Sequence, residues 1–289
     1  MMKKKCIVML SGGFGNQLHQ LANGLCFSKE MEAELFVDTS YYKKKILNCD
    51  TKRNYDLDYL ERKPAKKNFI FTSYVVLYLV KNLNFIKLIF EDVLKIQFLF
   101  NNKSPVNRKC CTFIFVYVSG NLESYEKHYL SLIESFSIRN KITTKAKLYL
   151  NEYVRFETVV VHVRRTDYLN SNSLHHVLDV EYFLKGIEIL KNNIRTPFFL
   201  FISDDIKWVK DNFDFIANSN YKIIESHDAF FDFTLLRMAK HVIISNSTFS
   251  WWGAFLNEYS NKKVVAPIKW LKIDNDNIDE RYDLKWYKI

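Results

Sequence analysis

Two adjacent arginines, Arg164 and Arg165, stand where an apolar run of valines around His162 ends. Arginine offers a fixed fork of N–H donors that matches phosphate oxygens, so the pair favours an anionic ligand. The valine run predicts a strand buried on both faces of a parallel sheet, whose carboxyl end is where ligands bind. A strand end that only carries solvated charges is the alternative. Regular alternation would project His162 and Arg164 to the same side.

Two more strand-like runs end in polar residues that suit the same edge of a sheet. Ser203-Asp204-Asp205 follow one run, and Ser-Asn-Ser-Thr at 245–248 follow another. Ser247 or Thr248 would cap the next helix, and a helix N-terminus also accepts an anion. Because parallel strands end on one edge, we expect these loops to open there together with Arg164.

A glycine-rich turn at residues 11–17 separates a predicted strand from a predicted helix. It fails the dinucleotide pattern GxGxxG, because Leu18 stands where the third glycine would be, and no P-loop lysine follows. The better interpretation is a tight turn that exposes backbone N–H groups, with Asn16 and Gln17 at the helix N-terminus.

The elements that must position these residues alternate between strands and amphipathic helices. In the second half, strands are predicted over 158–163, 198–202, 221–224, 242–244 and 263–266. Such alternation predicts an α/β fold with parallel sheets and right-handed crossovers. The expected domain boundary gives one domain over 1–153 and a second over 154–289.

Composition narrows the class of protein. The chain has 289 residues and a formal net charge of +10, which favours an anionic partner such as nucleic acid, an acidic membrane surface or a phosphate-bearing small molecule. The 24 Phe and 17 Tyr residues sit mostly in apolar periodic runs, so they predict core packing and no nucleic-acid partner. The five cysteines form no CxxC pair, which fits a reducing cytosol better than a disulfide framework.

The segment 69–100 is apolar and aromatic with scattered lysines. Core packing with lysines that reach the solvent is the favoured interpretation, and a helix lying on a membrane surface is the alternative. Its longest apolar part is too short to span a bilayer, and the apolar run near the start is too short for a signal peptide. Residues 41–55 are polar and basic, and they predict a solvated loop.

Three sequence blocks together resemble the galactoside α-1,2-fucosyltransferases of glycosyltransferase family 11. They are Gly-Gly-Phe-Gly-Asn-Gln-Leu at 12–18, His-Val-Arg-Arg-Thr-Asp-Tyr at 162–168 and Ile-Ser-Asn-Ser-Thr-Phe-Ser-Trp-Trp-Gly-Ala-Phe-Leu at 244–256. The first two blocks are shared with α-1,6- and protein O-fucosyltransferases. Thr166 stands where the family usually has glycine and matches the α-1,6 relatives. Residues 41–155 match no known block and should hold most of the acceptor site.

The resemblance implies a GT-B arrangement of two Rossmann-like domains facing across a cleft. Domain 1–153 would lie on the acceptor side, and domain 154–289 would bind GDP-fucose. The implied reaction is an inverting transfer from GDP-β-L-fucose to O2 of a terminal β-galactoside, carried by an oligosaccharide or a lipid-linked glycan. A fucosyltransferase with another, α-1,6-like linkage is one alternative, and a non-catalytic nucleotide- or nucleic-acid-binding protein is the other.

We expect Arg164 and Asp167 to be the catalytic residues, Arg164 from the resemblance and Asp167 as the carboxylate nearest to it in the sequence. Arg164 would contact the diphosphate, His162 would shape the nucleotide pocket and Asp232 would bind guanine. The implied donor-binding set is Gly13, Phe14, Gly15, Asn16, Gln17, His162, Arg164, Arg165, Asp232, Asn246, Ser247, Thr248, Phe249, Ser250 and Trp251. Asp167 would take the acceptor's proton or only orient the arginines through an ion pair, and the departing phosphate is a third proton acceptor.

No cofactor or metal is expected, since a guanidinium and a helix N-terminus can stabilise the charge on the leaving phosphates. Asp274-Asn275-Asp276 resembles a metal-binding DxD motif, but it lies in a polar tail where no strand would carry it to a cleft. His175-His176 has no further His or Cys at the spacing that a metal site requires.

The cysteine usage and the absence of an anchor predict a cytoplasmic bacterial enzyme of surface-polysaccharide or O-antigen synthesis. Peripheral contact with the inner membrane, through segment 69–100, is a further expectation.

Overall fold

The computed structural model describes residues 3–43, 53–67, 73–100, 106–116, 122–169, 174–213, 220–225, 228–272, 282–283 and 285–289. The chain divides into two compact units, Met1–Ser137 and Ile138–Ile289. Each unit contains a parallel sheet with helices packed on it. The predicted α/β fold class is therefore confirmed.

The first unit is built on β1 (Lys5–Met9), β2 (Glu34–Asp38), β3 (Ile96–Leu99) and β4 (Thr112–Val116), which pair in the order β2-β1-β4-β3. Helix α1 (Phe14–Met31) follows β1 and buries Leu18, Leu21 and Ala22, which the helical period places on one side. The other helices in the described part of this unit are α2 (Ser40–Lys43), a 3₁₀-helix (Leu57–Tyr59), α3 (Tyr74–Asn82), α4 (Asn84–Leu88), a π-helical turn (Ile89–Val93), α5 (Leu122–Lys127) and α6 (Tyr129–Ser135).

Two glycines of this unit stand where a side chain would be strained or would clash. Gly12 has a φ of +72°, in the left-handed region that favours glycine, and it turns the chain from β1 towards α1. Gly24 lies on the side of α1 that faces β1, where an added Cβ would stand 2.2 Å from Cγ2 of Val8. These glycines set the turn before α1 and bring the helix close to the sheet.

Helices α3 and α4 and the π-helical turn cover the opposite face of this sheet. Leu77 and Val80 of α3 pack with Ile7 and Met9 of β1, which alternate with the Val8 that faces α1. The predicted core role of segment 69–100 is confirmed for this inner side of the helices. Residues 69–72 lie outside the described ranges.

The second unit is built on β5 (Glu157–Val163), β6 (Pro197–Ser203), β7 (Tyr221–Ile223), β8 (His241–Ile243), β9 (Val264–Ala266) and β10 (Tyr287–Lys288), in the parallel order β10-β9-β8-β5-β6-β7. All five strands predicted in this half are present. The helices of its described residues are α7 (Asn140–Asn151), a 3₁₀-helix (Thr166–Tyr168), α8 (Val180–Asn193), α9 (Ile206–Phe213), α10 (Ala229–Met238) and α11 (Thr248–Phe255).

Strand β5 is central in this sheet and packs on both faces. Val159, Val161 and Val163 share a buried core with Phe183 and other residues of α8. Because side chains alternate along a strand, His162 faces the other side, and its ring contacts Phe249 of α11. The valine run thus forms a strand that is buried on both faces, and His162 lies near its carboxyl end.

Helix α7 belongs to the second unit. Tyr149 contacts the ring of Phe231 in α10, with centroids 5.7 Å apart, and Lys145 lies 4.7 Å from the centre of the same ring. The structural division falls before α7, at 137/138, whereas the sequence places the domain boundary after it, at 153/154. No strand precedes α7 closely enough in the sequence to indicate which sheet it covers.

Three further features of the chain are its cysteines, the length of its helices and the segment 41–55. Cys6, Cys26, Cys110 and Cys111 are free thiols, and Cys49 lies outside the described ranges. Within those ranges, the longest and most apolar helices still fall short of what crossing a bilayer requires. Of the predicted loop 41–55, residues 41–43 lie in α2 and residues 44–52 are not among those described.

Candidate active site

Three strand ends come together at one edge of the second sheet. Strands β8, β5 and β6 are neighbours, and Val163 is paired with Ser203. The Ser245 hydroxyl, just after β8, accepts a hydrogen bond from the Arg164 backbone N–H at 3.1 Å and donates one to the His162 carbonyl at 2.7 Å. The expectation that these three loops open on one edge is confirmed.

Asp204, directly after β6, holds the turn that carries the arginines. Its Oδ1 accepts a hydrogen bond from the Arg165 N–H at 2.9 Å, and its Oδ2 accepts one from the Thr166 N–H at 3.2 Å. The Thr166 hydroxyl also donates to Oδ2. Hydrogen bonds to a carboxylate are roughly twice as strong as neutral ones, so this contact fixes the turn. The sequence shows Asp204 only as a polar strand end.

The guanidinium of Arg164 lies between two carboxylates. Its Nη2 is 2.7 Å from Oδ2 of Asp167, and its Nη1 is 3.2 Å from Oδ2 of Asp204. Burial alone would lower the pKa of Arg164, but the Asp204 and Asp167 carboxylates raise it above its ordinary value. The side chain remains 26% exposed, so its other N–H donors can meet an anion.

The neighbouring Arg165 is held differently. Its guanidinium carbon lies 3.9 Å from the ring centre of Trp208, and its Nη1 donates to the Leu178 carbonyl at 3.3 Å. A cation–π contact of this kind contributes roughly 0.5–2 kcal/mol. The structure therefore separates the two arginines, with Arg164 among the strand-end carboxylates and Arg165 on a tryptophan of α9.

His162 is buried and neutral beside this cluster. Its ring lies 5.4 Å from that of Phe249, which in turn contacts Phe233 of α10 at 5.4 Å. Burial and the positive charge of Arg164 lower the pKa of His162 to about 3. Among the described residues, no group forms a hydrogen bond with its buried Nδ1. In the neutral ring this nitrogen donates or accepts one hydrogen bond, depending on the tautomer.

Acidification is expected to destabilise the protein in part through His162. The imidazole pKa is about 3 in the folded chain against an ordinary value of 6.5, so between these values only the unfolded state binds the proton. Stability is then fully present above the ordinary pKa and falls as the pH drops towards the folded value. In urea unfolding, His162→Gln should lose less stability than the parent between about pH 7 and about pH 4. Equal losses in both proteins would contradict a buried neutral imidazole.

The loop before α11 is held largely by its own side chains. The Asn246 amide donates to the carbonyls of His176 at 2.7 Å and Trp270 at 2.8 Å, and the Ser250 hydroxyl lies 3.2 Å from the Ser245 carbonyl. Trp251 stacks on Phe255 of the same helix at 4.9 Å. Ser247 and the half-buried Thr248 start α11, where the first N–H groups have no acceptor within a helix. These N–H groups are suited to an anion, whereas Asn246, Ser250 and Trp251 shape the loop.

Tyr168 and His175 extend the cluster beyond the site residues that the sequence predicts. The Tyr168 hydroxyl donates to the Asn246 carbonyl at 2.9 Å, and its ring stacks on His175 at 4.3 Å. Burial raises the pKa of Tyr168 to about 12, so the hydroxyl stays protonated. The spacing in the 162–168 block places Tyr168 near the site, but no sequence signal brings His175 there.

Asp232 lies half-buried on α10, one turn into the helix. The cap of this helix is Asp228, whose Oδ1 accepts hydrogen bonds from the N–H groups of Phe230 and Phe231. The next residue, Phe233, makes the ring contact with Phe249 described above. Asp232 is thus on the helix that borders the His162 side of the sheet, where the resemblance places a base-binding residue.

In the first unit, the glycine turn presents one polar side chain to solvent and buries another. Asn16 is exposed, whereas Phe14, Gly15 and Gln17 are buried and Gly13 caps α1. The Gln17 amide donates to the carbonyls of Gly12 at 3.1 Å and Asn54 at 2.8 Å, and its Oε1 accepts from the Asp56 N–H at 2.9 Å. Gln17 therefore ties the turn to the loop at 54–56, and Asn16 is the side chain of this turn that can reach a ligand.

The last residues to place are those that could bind a metal ion. Asp274, Asn275 and Asp276 lie outside the described ranges. Within those ranges, His, Cys, Asp and Glu side chains form no group of three or more that is placed to hold a metal ion. In the described site, the Arg164 guanidinium is a cation that can bind an anion, and the start of α11 provides backbone N–H groups for the same purpose.

A family model described as glycosyl transferase family 11 matches residues 2–289. The chain belongs to glycosyltransferase family 11.

Two relatives from Escherichia coli match almost the whole length of this glycosyltransferase. The O-antigen biosynthesis glycosyltransferase WbnK is 30% identical over 92% of this chain and 95% of its own length. An alpha-1,2-colitosyltransferase is 30% identical over 98% of both chains. The galactoside alpha-(1,2)-fucosyltransferase 1 of Bos taurus is 33% identical over 34% of this chain and 29% of its own.

Solved fucosyltransferases share the fold at low identity. The fucosyltransferase NodZ from Bradyrhizobium aligns with a TM-score of 0.54 at 13% identity, over 89% of this chain and 93% of its own. A mutant of Arabidopsis thaliana FUT1 in complex with GDP aligns with a TM-score of 0.55 at 13% identity, over 91% of this chain and 70% of its own. The family and the fold class expected from the three sequence blocks are therefore both confirmed for this glycosyltransferase.

Proposed function

We propose that this glycosyltransferase moves L-fucose from GDP-β-L-fucose to O2 of a terminal β-galactoside, with inversion at the anomeric carbon. The observation that carries the proposal is the charged, partly exposed Arg164 where three strand ends meet, beside the buried neutral His162. The name of the bovine relative supports the sugar and the linkage. A solved NodZ structure of similar fold, soaked with GDP-fucose, supports the donor.

The chemistry of the reaction suits these groups. Breaking the bond between fucose and phosphate builds negative charge on the GDP oxygens and positive charge on the sugar ring. Arg164 and the first-turn N–H groups of α11 would meet the phosphate charge, and one well-placed donor of this kind lowers a barrier by about 3 kcal/mol. Asp204 fixes the turn beforehand, so the guanidinium need not reorganise during the reaction.

The nucleotide would occupy the His162 side of the sheet. The Phe249 ring offers an apolar surface, and the Nδ1 of His162 is buried without a hydrogen-bond partner among the described residues. Asp232 on the bordering helix would accept hydrogen bonds from guanine N–H groups. In the first unit, Asn16 is proposed as a donor-binding residue because of the resemblance of its sequence block, while Gln17 would act only through the turn that it holds.

Asp167 would orient Arg164 in this mechanism. Its Oδ2 accepts a hydrogen bond from the Arg164 guanidinium at 2.7 Å, so this oxygen is already engaged by the arginine. The proton of the acceptor hydroxyl would then pass to the departing phosphate. Asp167 as general base is the alternative, and a bell-shaped rate profile that loses its acidic limb in Asp167→Asn would favour it.

Transfer of colitose is a second candidate function. A relative that matches 98% of this chain is named an alpha-1,2-colitosyltransferase. Colitose is L-fucose without its 3-hydroxyl group, so the two donors differ by one polar group. A site that hydrogen-bonds that hydroxyl would reject colitose strongly, whereas an apolar site would discriminate weakly. The ratio of kcat/KM for GDP-fucose and GDP-colitose decides between the two donors.

The test of the proposal is a transfer assay with the purified protein. GDP-fucose is offered with galactose, lactose, N-acetyllactosamine or Galβ1,3GalNAc, and the linkage of the product is read by NMR. Fucose on O2 of galactose is expected. Fucose on N-acetylglucosamine or in an α-1,6 linkage would contradict the proposal. Thermal shifts with GDP and with a short oligonucleotide provide the control, because a ligand of the folded state alone raises its stability.

Activity is expected to persist in excess EDTA. Arg164 and the start of α11 would supply the positive charge that Mg²⁺ or Mn²⁺ supplies in other transferases. Initial rates should agree within about twofold with and without the chelator, since no step would depend on a metal. Loss of activity in EDTA, with recovery on adding Mn²⁺ or Mg²⁺, would assign a catalytic metal instead.

We place the reaction in the cytoplasm, on acceptors for surface polysaccharide. Support comes from the relative named as an O-antigen biosynthesis glycosyltransferase, which matches 92% of this chain. Free thiols such as Cys6 and Cys26 fit a reducing compartment. Cell fractionation with an antibody to the protein tests the location, and recovery outside the cytoplasmic and inner-membrane fractions would contradict it.

A further inference from the structure

An apolar stripe lies on the outer side of the helices that cover the first sheet. Its exposed members are Tyr78 (68%), Phe85 (61%), Leu88 (57%), Ile89 and Val93 (71%), which we name the outer stripe. Phe85, Leu88 and Ile89 stand at positions i, i+3 and i+4 from the start of α4, so they share a side of that helix. Tyr78 lies on α3, before the extended Leu83, and Val93 ends the π-helical turn. Single exposed apolar residues are ordinary, but a contiguous row of large ones marks an interaction surface.

Packing within the unit does not account for the outer stripe. The inner side of the same helices already fills the core, where Leu77, Val80, Ile86 and Phe90 pack with the sheet. Phe90 contacts Phe98 of β3 at 5.3 Å. The helices are therefore apolar on both sides, and only the inner side is needed to cover the sheet.

Exposed basic residues lie on the helices that carry the outer stripe and on an adjoining loop, and exposed Asp92 lies among them. Lys81 and Lys87 are exposed on α3 and α4. The loop at 106–111 lies against the π-helical turn, since the Asn107 amide lies 3.4 Å from a Glu91 carboxylate oxygen and Cys110 Sγ lies 3.7 Å from the Glu91 carbonyl. Residues 73–100 and 106–111 together carry five basic residues against two acidic ones, a net +3; the basic residues are Lys81, Lys87, Lys95, Arg108 and Lys109.

We propose that the outer stripe docks the protein on an anionic lipid surface. Aromatic and aliphatic side chains would enter the boundary between headgroups and acyl chains, while the lysines reach the phosphates with apolar stems lying along the surface. The positive charge around the stripe selects anionic over zwitterionic lipid. If the proposed reaction uses lipid-linked acceptors, the docking would hold the protein at the membrane that carries them. The outer stripe belongs to the first unit, whereas Arg164 belongs to the second.

Vesicle flotation with the full chain tests the docking. We expect binding to vesicles of equal parts phosphatidylcholine and phosphatidylglycerol, weaker binding to phosphatidylcholine alone, and release in about 0.5 M NaCl. The triple variant Phe85→Gln, Leu88→Gln, Val93→Gln should bind about tenfold less. The matched control replaces three equally exposed apolar residues elsewhere, Leu130 (80%), Leu148 (63%) and Val154 (73%), and should bind as the parent does.

A second pair of variants tests the charges. Lys81→Gln with Lys87→Gln should weaken binding to the anionic vesicles about tenfold, and Lys141→Gln with Lys147→Gln on α7 should not.

Absence of vesicle binding by the parent would overturn the proposal, as would equal binding by the parent and the triple variant. Concentration-dependent dimers in sedimentation velocity that the triple variant abolishes, without vesicle binding, would assign the outer stripe to a second copy of the chain. Transfer to lactose should be unchanged in the triple variant, so failure of the docking and failure of the proposed reaction are distinguishable.

Discussion

Replacing Arg164 by alanine is expected to lower kcat/KM for transfer from GDP-fucose about 10²–10³-fold. The guanidinium is the charged donor at the strand ends, with Asp167 at 2.7 Å and Asp204 at 3.2 Å. Without it, the two carboxylates would face the diphosphate and repel it. Arg164→Lys should also be severely impaired, because a point charge cannot contact both carboxylates and a phosphate as the fork does. Initial rates over a range of GDP-fucose concentrations measure both variants.

A matched control is available at Arg237. This arginine is also mostly buried, with its side chain 10% exposed, and it pairs with Glu258 at 3.4 Å on the far end of α10. Arg237→Lys should keep its activity within about threefold, because an exposed partner contributes little. Circular dichroism and thermal unfolding of each variant establish that it is folded. Near-normal turnover by folded Arg164→Ala would remove the phosphate role.

The strand-end cluster could be predicted from the sequence because topology places it. Runs of β-branched residues mark β5 and β8, and an aromatic and aliphatic run marks β6. Parallel strands bring their carboxyl ends to one edge whatever the loops contain. Arg164 and Ser245 therefore meet by virtue of their positions after the strands. Because β5 and β8 are neighbours, the Ser245 hydroxyl can bond both the Arg164 N–H and the His162 carbonyl.

The partners of individual side chains could not be predicted in this way. Arg165 follows Arg164 directly, yet its guanidinium lies on the ring of Trp208. Gln17 and Asn246 belong to recognisable blocks, but their amides bind backbone carbonyls that are distant in sequence, those of Asn54 and Trp270. A polar residue in a motif can thus serve the ligand or the loop, and only the fold distinguishes the two.

The helices of segment 69–100 show a different limit. Apolar residues at Leu77 and Tyr78 are adjacent in the sequence, but one is buried and the other is exposed. A helix that is apolar on all sides has no strong periodic signal, so the sequence cannot indicate which side covers the sheet. Core packing therefore accounts for the inner side of these helices. The outer stripe can be recognised only once the position of the sheet is known.

Replacing Asp204 by asparagine is expected to lower kcat/KM about 10–100-fold with little change in the fold. Its two oxygens accept hydrogen bonds from the N–H groups of Arg165 and Thr166, and Oδ2 also holds Arg164 at 3.2 Å. An amide would turn an NH₂ group towards one of these donors and would remove the charge that holds the guanidinium. The turn would then carry Arg164 less accurately, and small displacements of a charged donor are costly in the transition state.

The adjacent Asp205 provides the control for this substitution. Its Oδ1 accepts from the Trp208 N–H at 3.0 Å, a helix cap that asparagine can also make, and its contact with Arg165 is longer, at 3.8 Å. Asp205→Asn should therefore stay within about threefold of the parent. Because Asp204 acts through Arg164, adding Asp204→Asn to Arg164→Ala should cost little more than Arg164→Ala alone. Additive losses in the double variant would mean that Asp204 serves the reaction independently of the arginine it holds.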